Sequence, residues 1–241
     1  MSQRRFPAIL LLLFLLSPLS AEEKEKQADP LAALKLPGVT INLKKRSVDI
    51  KATISLDEGS LEFVACLKDT KEHESIITIQ AKPSHIHTAL LLLGAEAGNP
   101  AMRKLVGEGD DQHWIDLPPK GSPITVSFVT TDKAGRQTER PLSDFIVKAD
   151  ESATKFPHNT FLFAGSHLTG KDDGPKTYLA DRSGSVISIS TFGDELLCLP
   201  LIYGQENHAL QWEINPTNLP AVGSEIILRL HPQIKKNPKK L

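Results

Sequence analysis

Four side chains between residues 66 and 87 have the chemistry of a metal site or of a nucleophilic catalytic site. They are a thiol, an adjacent imidazole and carboxylate, and a second imidazole: Cys66, His73, Glu74 and His87. Thiolate, imidazole and carboxylate groups together bind transition metals. The same groups can form a set in which a histidine and a carboxylate activate a cysteine nucleophile. A transition metal is the one class of cofactor that this segment suggests.

A structural role for these side chains is a third interpretation. Consecutive residues of a strand point to opposite faces, so His73 and Glu74 diverge if they lie on one strand. In the structural interpretation these two residues lie at strand ends, and His87 makes a buried hydrogen bond in the first turn of a helix. Because a strand end and a helix start can share one edge of a domain, we expect His73 or Glu74 to lie close to His87.

The two cysteines of the chain, Cys66 and Cys198, leave three alternatives open. In an oxidising compartment an even number of cysteines favours a disulfide between them. Both residues lie in apolar, strand-like runs, where a free cysteine packs as a small hydrophobic side chain. The alternatives are therefore a Cys66–Cys198 disulfide, two buried free thiols, or a thiol that is reactive or bound to metal.

The N-terminus has the pattern of a secretory signal peptide. Two arginines precede an unbroken apolar run at residues 9–16, and a region of small residues follows that ends at Ala21. This order is typical of a cleaved signal peptide. The apolar stretch at residues 6–19 is shorter than the ~20 residues that span a bilayer as a helix. We therefore expect residues 1–21 to be removed and the protein to be exported, to the periplasm or the extracellular space; an uncleaved anchor is the alternative.

The remaining chain has ordinary globular composition. The full sequence has 28 Lys and Arg against 29 Asp and Glu, for a net charge of −1, and the loss of the two arginines at residues 4 and 5 leaves 26 against 29, or −3. Such a chain has no overall electrostatic attraction for nucleic acid, and the expected mature chain contains no transmembrane segment. We expect a charged linker at residues 22–37, a single domain at residues 38–234 and a basic, solvated tail at residues 235–241.

Alternating apolar and polar residues predict strands through most of this domain. Residues 48–56 and 61–67 alternate on either side of a turn, which predicts a hairpin. Residues 95–123 are rich in Gly, Pro and Asp, and we expect a long surface excursion there. Further strands are predicted at residues 75–79, 124–129, 160–164, 177–180, 186–190, 210–214 and 225–230.

One helix interrupts the strands, at residues 84–94. Ile86, Ala89, Leu90 and Leu93 recur there at helical spacing, and a glycine follows in a position that favours helix termination. Because the second half of this segment is apolar on every side, we expect the helix to be buried. The predicted fold is α+β, with β-rich antiparallel sheets or a sandwich and one buried helix.

Two segments carry a specific pattern: KEHES at residues 71–75 and PSHIHTALLLLG at residues 83–94. Together with looser matches they resemble the YdjY-like family of exported bacterial proteins, over about residues 40–232. The looser matches lie at residues 61–66, 163–166, 178–181, 184–187 and 220–232. The resemblance implies one continuous folded unit. It implies no catalytic or ligand residues, because the family is one of uncharacterised function.

The sequence thus favours an exported, non-enzymatic binding or accessory module that takes a protein or small-molecule ligand. The alternative is a metal- or thiol-dependent enzyme that uses Cys66, His73, Glu74 and His87. Catalytic side chains usually meet in a cleft with perturbed pKa values. The two hypotheses therefore differ in whether these four side chains converge around a concave site.

The signal-peptide interpretation makes a direct prediction about the mature protein. Mass spectrometry of the protein purified from its native host should show a chain that begins at Glu22, because cleavage is expected after Ala21. A chain that retains Met1 and fractionates with membranes would support the uncleaved anchor instead.

Overall fold

The computed structural model describes residues 34–150, 154–204 and 210–234. The predicted signal peptide, most of the predicted linker and the predicted basic tail lie outside these residues. The chain from Leu36 onward groups into one unit. The α-helices of the described chain are α1 (Pro83–Leu92) and α2 (Leu179–Ser183). Its strands are β1 (Val39–Asn42), β2 (Ser47–Ile54), β3 (Phe63–Leu67), β4 (Ser75–Ile79), β5 (Ala97–Asn99), β6 (Met102–Val106), β7 (His113–Leu117), β8 (Lys120–Gly121), β9 (Pro123–Thr131), β10 (Gln137–Pro141), β11 (Ile146–Lys148), β12 (Thr160–Phe163), β13 (Leu168–Thr169), β14 (Thr177–Tyr178), β15 (Ser185–Ser188), β16 (Leu197–Cys198), β17 (Trp212–Ile214) and β18 (Glu225–Pro232).

Eight of these strands close into a barrel. Strands β2, β18, β9, β12, β16, β15, β3 and β4 are hydrogen-bonded in this order, and β4 pairs back with β2. The closing pair has Ala52 opposite Ile79 and Ile54 opposite Ile77. Strands β1 and β10 lie outside the ring and pair with β2 and β9.

The predicted sandwich of antiparallel sheets is therefore wrong. The sheet closes on itself, and two of its pairs, β3–β4 and β15–β16, are parallel. The predicted hairpin is also absent, because β3 pairs with β15 and β4 instead of β2. An alternating pattern predicts a strand and its buried face, but inward and outward residues alternate in a barrel just as they do in a sandwich. The pattern therefore cannot distinguish the two architectures.

The alternation of β2 shows how the sequence fills the barrel. Val48, Ile50, Ala52 and Ile54 are buried in the core, while the residues between them face outward. Large aromatic side chains from other strands and loops complete the core, among them Phe128, Phe145, Phe161 and Phe163. This continuous apolar interior supplies the main driving force for folding.

Helix α1 follows β4 and contributes to the same core. Ile86, Ala89 and Leu90 are buried, as is Leu93 just beyond the helix. The predicted buried helix is thus confirmed. Its predicted end is confirmed as well, since Gly94 takes a left-handed φ of +85° and its N–H donates to Leu91 O over 2.8 Å. Glycine adopts this conformation without the steric cost that other residues incur.

The opposite face of α1 is exposed, which differs from the expectation of a helix buried on every side. Leu91 and Leu92 are each almost half exposed, because only one side of the helix packs against the barrel. Among the described residues, no helix has both the length and the apolar character needed to cross a membrane.

A buried arginine connects four strands on the outer face of the barrel. Arg229 of β18 donates from Nε and Nη2 to the two carboxylate oxygens of Asp49 of β2, over 2.8 and 2.7 Å. Its Nη1 donates to Glu139 of β10 over 2.7 Å. Glu139 also accepts from the Ser127 hydroxyl of β9 over 2.7 Å. Burial alone would raise the pKa of Glu139, but the hydrogen bonds from Ser127 and Arg229 lower it overall.

We expect Arg229→Met to lower the free energy of unfolding by about 3 kcal/mol, because it leaves two carboxylates without their cation. Urea unfolding at neutral pH measures this change. The matched control is Arg136→Met, which removes the exposed pair with Asp132 and should cost less than about 1 kcal/mol. Equal effects of the two substitutions would contradict a stabilising role for the buried network.

Candidate functional site

The structure places the four candidate side chains in three separate places. Cys66 lies in the barrel wall on β3 and is fully buried. Burial raises the pKa of its thiol, and neighbouring polar groups of Ser75 and the Lys71 backbone offset this only in part. A reactive cysteine needs a lowered pKa and access to solvent. Cys66 therefore has the environment of a packed, protonated thiol.

Cys198 is also a buried free thiol. Strand β15 lies between the two cysteines: its Ser185 is opposite Cys66, and its Ser188 is opposite Cys198. Two strand spacings amount to about 9–10 Å, whereas the Cα atoms of a disulfide lie within about 7 Å. The Cys66–Cys198 disulfide alternative is therefore not formed in this structure. Burial, and to a lesser extent the charge of Glu195, raises the pKa of the Cys198 thiol.

His73 and Glu74 lie on a short 3-10 turn just before β4. The His73 side chain is 78% exposed, and its Nε2 lies 3.7 Å from Glu74 Oε2. Glu74 also lies beside Glu62, whose pKa is raised first by burial and then by the Glu74 charge. These residues form a surface pair at a strand end, which agrees with the structural interpretation.

The expected proximity of His73 or Glu74 to His87 is not observed. The 3-10 turn precedes β4, whereas α1 begins after β4 ends. The five residues of that strand place its two ends roughly 15 Å apart. In the part of the chain that the structure describes, no three His, Cys, Asp or Glu side chains are grouped so that they could hold a metal ion.

His87 instead takes part in a partly buried joint between α1, α2 and the end of β12. Its Nδ1 lies 2.9 Å from the Tyr178 hydroxyl, and that hydroxyl donates to Gly165 O over 2.8 Å. Because the tyrosine proton is used by Gly165, His87 Nδ1 must donate to the tyrosine oxygen. The ring also contacts Phe163 edge to face, with centroids 4.7 Å apart. Burial lowers the pKa of His87, so the neutral imidazole is favoured.

Two further interactions complete this joint. Asp181 of α2 accepts from Ser84 N and Ser84 Oγ, over 2.8 and 2.6 Å, and so caps the first turn of α1. Gly165 has a φ of +85°, and a Cβ on it would lie 2.8 Å from the Ala97 side chain and 3.2 Å from the His87 ring. Only glycine fits between these two groups.

A projecting β-ribbon lies within the predicted surface excursion, where no strands were predicted from the sequence. Strands β6 and β7 pair with each other in a separate two-stranded sheet, which we call the ribbon (residues 102–117). Nearly all of its residues are exposed on both faces. On one face Leu105 lies opposite Trp114, and these side chains are 43% and 63% exposed. Two apolar-rich runs around a glycine-containing turn were the hairpin signal in the sequence.

The ribbon is attached through a neck of two short strands, β5 and β8. The neck packs against the joint. The Ala97 side chain of β5 lies against Gly165, where a Cβ would approach it to 2.8 Å. A Cβ on Gly121 of β8 would overlap the carbonyl oxygen of Phe163. The base of the ribbon is thereby fixed to the end of β12.

A groove of about 550 Å³ lies at the base of the ribbon. Its walls are Met102, Arg103 and Asp116 on the ribbon side and Phe192, Gly193 and Ile202 on the barrel side. The buried Glu195 carboxylate accepts from the backbone N–H groups of Phe192 and Gly193 and so holds the barrel-side wall.

Phe192 of this wall also stacks on Phe63 of the barrel, with centroids 4.5 Å apart. The Lys71 ammonium lies 4.3–4.4 Å from both ring centroids and donates to Ser185 Oγ over 3.1 Å. The groove therefore has one wall that is firmly tied to the barrel and one that belongs to the ribbon.

Comparison with known proteins gives one match. The family described as the YdjY domain matches residues 39–231, which include the barrel, the joint and the ribbon. No curated protein and no solved structure matches the chain.

The joint predicts a structural effect of His87 that depends on pH. We expect His87→Ala to lower the free energy of unfolding by about 1–3 kcal/mol at pH 7.5, because it leaves the partly buried Tyr178 hydroxyl without a donor. The folded-state pKa of His87 lies below its ordinary value of 6.5, so the unfolded state takes up the proton first. The stabilising effect is complete above pH 6.5 and is lost as the pH falls below it. Wild type should therefore lose more stability than His87→Ala between pH 7.5 and 5.5.

Chemical unfolding at several pH values measures both effects, and the exposed His73→Ala variant is the control that should match wild type. A metal-site role would give a different result: a chelator would lower the melting temperature of wild type, and the His87→Ala variant would no longer respond to it.

Proposed function

This chain belongs to the YdjY family, and we propose that it is an exported, non-enzymatic binding module that engages a protein partner through its ribbon. The observation that carries the proposal is the exposure of Trp114 beside Leu105 on a projecting two-stranded sheet. Exposed apolar clusters of this kind are typical of interaction surfaces, and tryptophan is the residue type most enriched among energetically dominant contacts.

An apolar side chain lies near this surface across the groove: Ile202 is exposed on the barrel-side wall. Met102 and Ile115 are also exposed, but they lie on the other face of the ribbon because side chains alternate along a strand. A side chain from a partner that contacts Trp114 can thus continue into the groove at the ribbon base. A rigid base favours binding because less conformational entropy is lost on association, and the neck supplies such a base.

The charges near the ribbon tip favour a protein partner over a lipid surface. Glu108, Asp110 and Asp111 are exposed at the turn between β6 and β7. Carboxylates are costly to bring into a membrane interior, and anionic lipid headgroups repel them. A protein surface can instead contact Trp114 while the carboxylates stay hydrated.

The environments of the other candidate residues support a non-enzymatic role. The pKa of each thiol is raised by burial, which is the reverse of an activated nucleophile. His87 uses its Nδ1 within the joint, and His73 lies on a distant surface. Export is supported by the signal-peptide pattern at residues 1–21, so the partner would be a periplasmic or extracellular protein.

Site-specific photo-crosslinking in the native host tests the proposal. A photoreactive phenylalanine analogue in place of Leu105 should give a discrete crosslinked product, identified by mass spectrometry. The control carries the same analogue in place of Leu168, which is 68% exposed on β13, outside the ribbon. Adding Trp114→Ser to the Leu105 variant should abolish the product. If positions 105 and 168 give the same crosslinks, or none, the ribbon is not the binding surface.

A further inference from the structure

The exposed face of the ribbon has a pattern that is complementary to itself. Two cross-strand pairs form this face: Arg103 opposite Asp116, and Leu105 opposite Trp114. Arg103 Nε donates to Asp116 Oδ1 over 3.0 Å, and both side chains remain largely exposed. Each pair therefore combines two different partners, one on each strand: a cation with an anion, and an aliphatic with an aromatic side chain.

A twofold axis parallel to the strands converts this pattern into an interface. Rotation about such an axis stacks one ribbon face on a second and exchanges the positions of β6 and β7. Arg103 of one copy then lies over Asp116 of the other, and Leu105 over Trp114. Closed twofold interfaces use the same patch on both copies, and this face meets that condition in its charges and in its aliphatic–aromatic pair.

We infer that the partner of the ribbon is a second copy of this chain, stacked face to face through Arg103, Leu105, Trp114 and Asp116. This inference rests on the proposed function, because it names the partner of the same surface. Four side chains cover far less than the about 800 Å² per partner of stable complexes. The dimer is therefore weak and is populated only at a high local concentration of the exported protein.

Analytical ultracentrifugation of the chain lacking residues 1–21, between about 10 µM and about 1 mM, tests the inference. Wild type should show a reversible monomer–dimer equilibrium. Trp114→Ala should weaken it by at least about tenfold, because the aromatic contact of each copy is lost. Leu168→Ala removes an exposed leucine outside the ribbon and should leave it unchanged.

A charge-swap mixture tests whether the charged positions of the two copies face each other. Arg103→Asp makes both charged positions acidic, and Asp116→Arg makes both basic. Each variant alone should lose association by at least about tenfold through like-charge repulsion. An equimolar mixture should recover dimers, because positions 103 and 116 of the two chains are again opposite in charge. This recovery also shows that both variants are folded.

The results separate this inference from the proposed function. A wild-type protein that stays monomeric up to about 1 mM, or a dimer that is unaffected by Trp114→Ala, overturns the second copy as partner. If the ribbon still binds a partner, the product crosslinked from position 105 would then contain a different protein. Failure of the mixture to recover dimers overturns the stacked arrangement.

Discussion

The pairing of β2 with β4 is the interaction on which the rest of the structure depends. One edge of β2 bonds to β18; the other bonds first to β1 and then, from Ala52 to Ile54, to β4. Without the β4 pair, two strands would present unpaired backbone groups to solvent or to other chains. Closure also sets the position of α1, which begins a few residues after β4. His87 therefore reaches the end of β12 only because the barrel is closed.

The joint at the end of β12 contains features that resemble an active site but have a structural explanation. Ser166 has a positive φ of 51°, a strained conformation that occurs often at functional sites, and a histidine follows it in the sequence. Its hydroxyl, however, donates to Asp194 O over 2.6 Å and accepts from Ala180 N over 3.1 Å. Both interactions hold backbone segments together. These two hydrogen bonds therefore stabilise the turn that carries Gly165 and offset the strain at Ser166.

Local pattern was sufficient to predict many elements but not their partners. The strands near residues 48–54, 160–163 and 225–232 and the apolar face of α1 follow from short-range periodicity. The parallel pairs, the closure and the absent hairpin depend on contacts between distant segments, which periodicity does not encode. The same limit applies to the site. A buried hydrogen bond of His87 was predicted, but its partner Tyr178 is 91 residues away in the chain.

The position of the exposed Trp114 depends on the polar groups of the partly buried joint. A ribbon with both faces in solvent has almost no packing of its own, and an isolated two-stranded sheet is marginal in water. Its orientation must come from its base, where the neck packs against Phe163 and Gly165. Apolar packing alone tolerates small shifts between elements, whereas the directed bonds of His87, Tyr178 and Gly165 O fix one arrangement. The joint thus determines where the ribbon presents Trp114, so the partly buried His87 contributes to the geometry of the surface that we propose for binding.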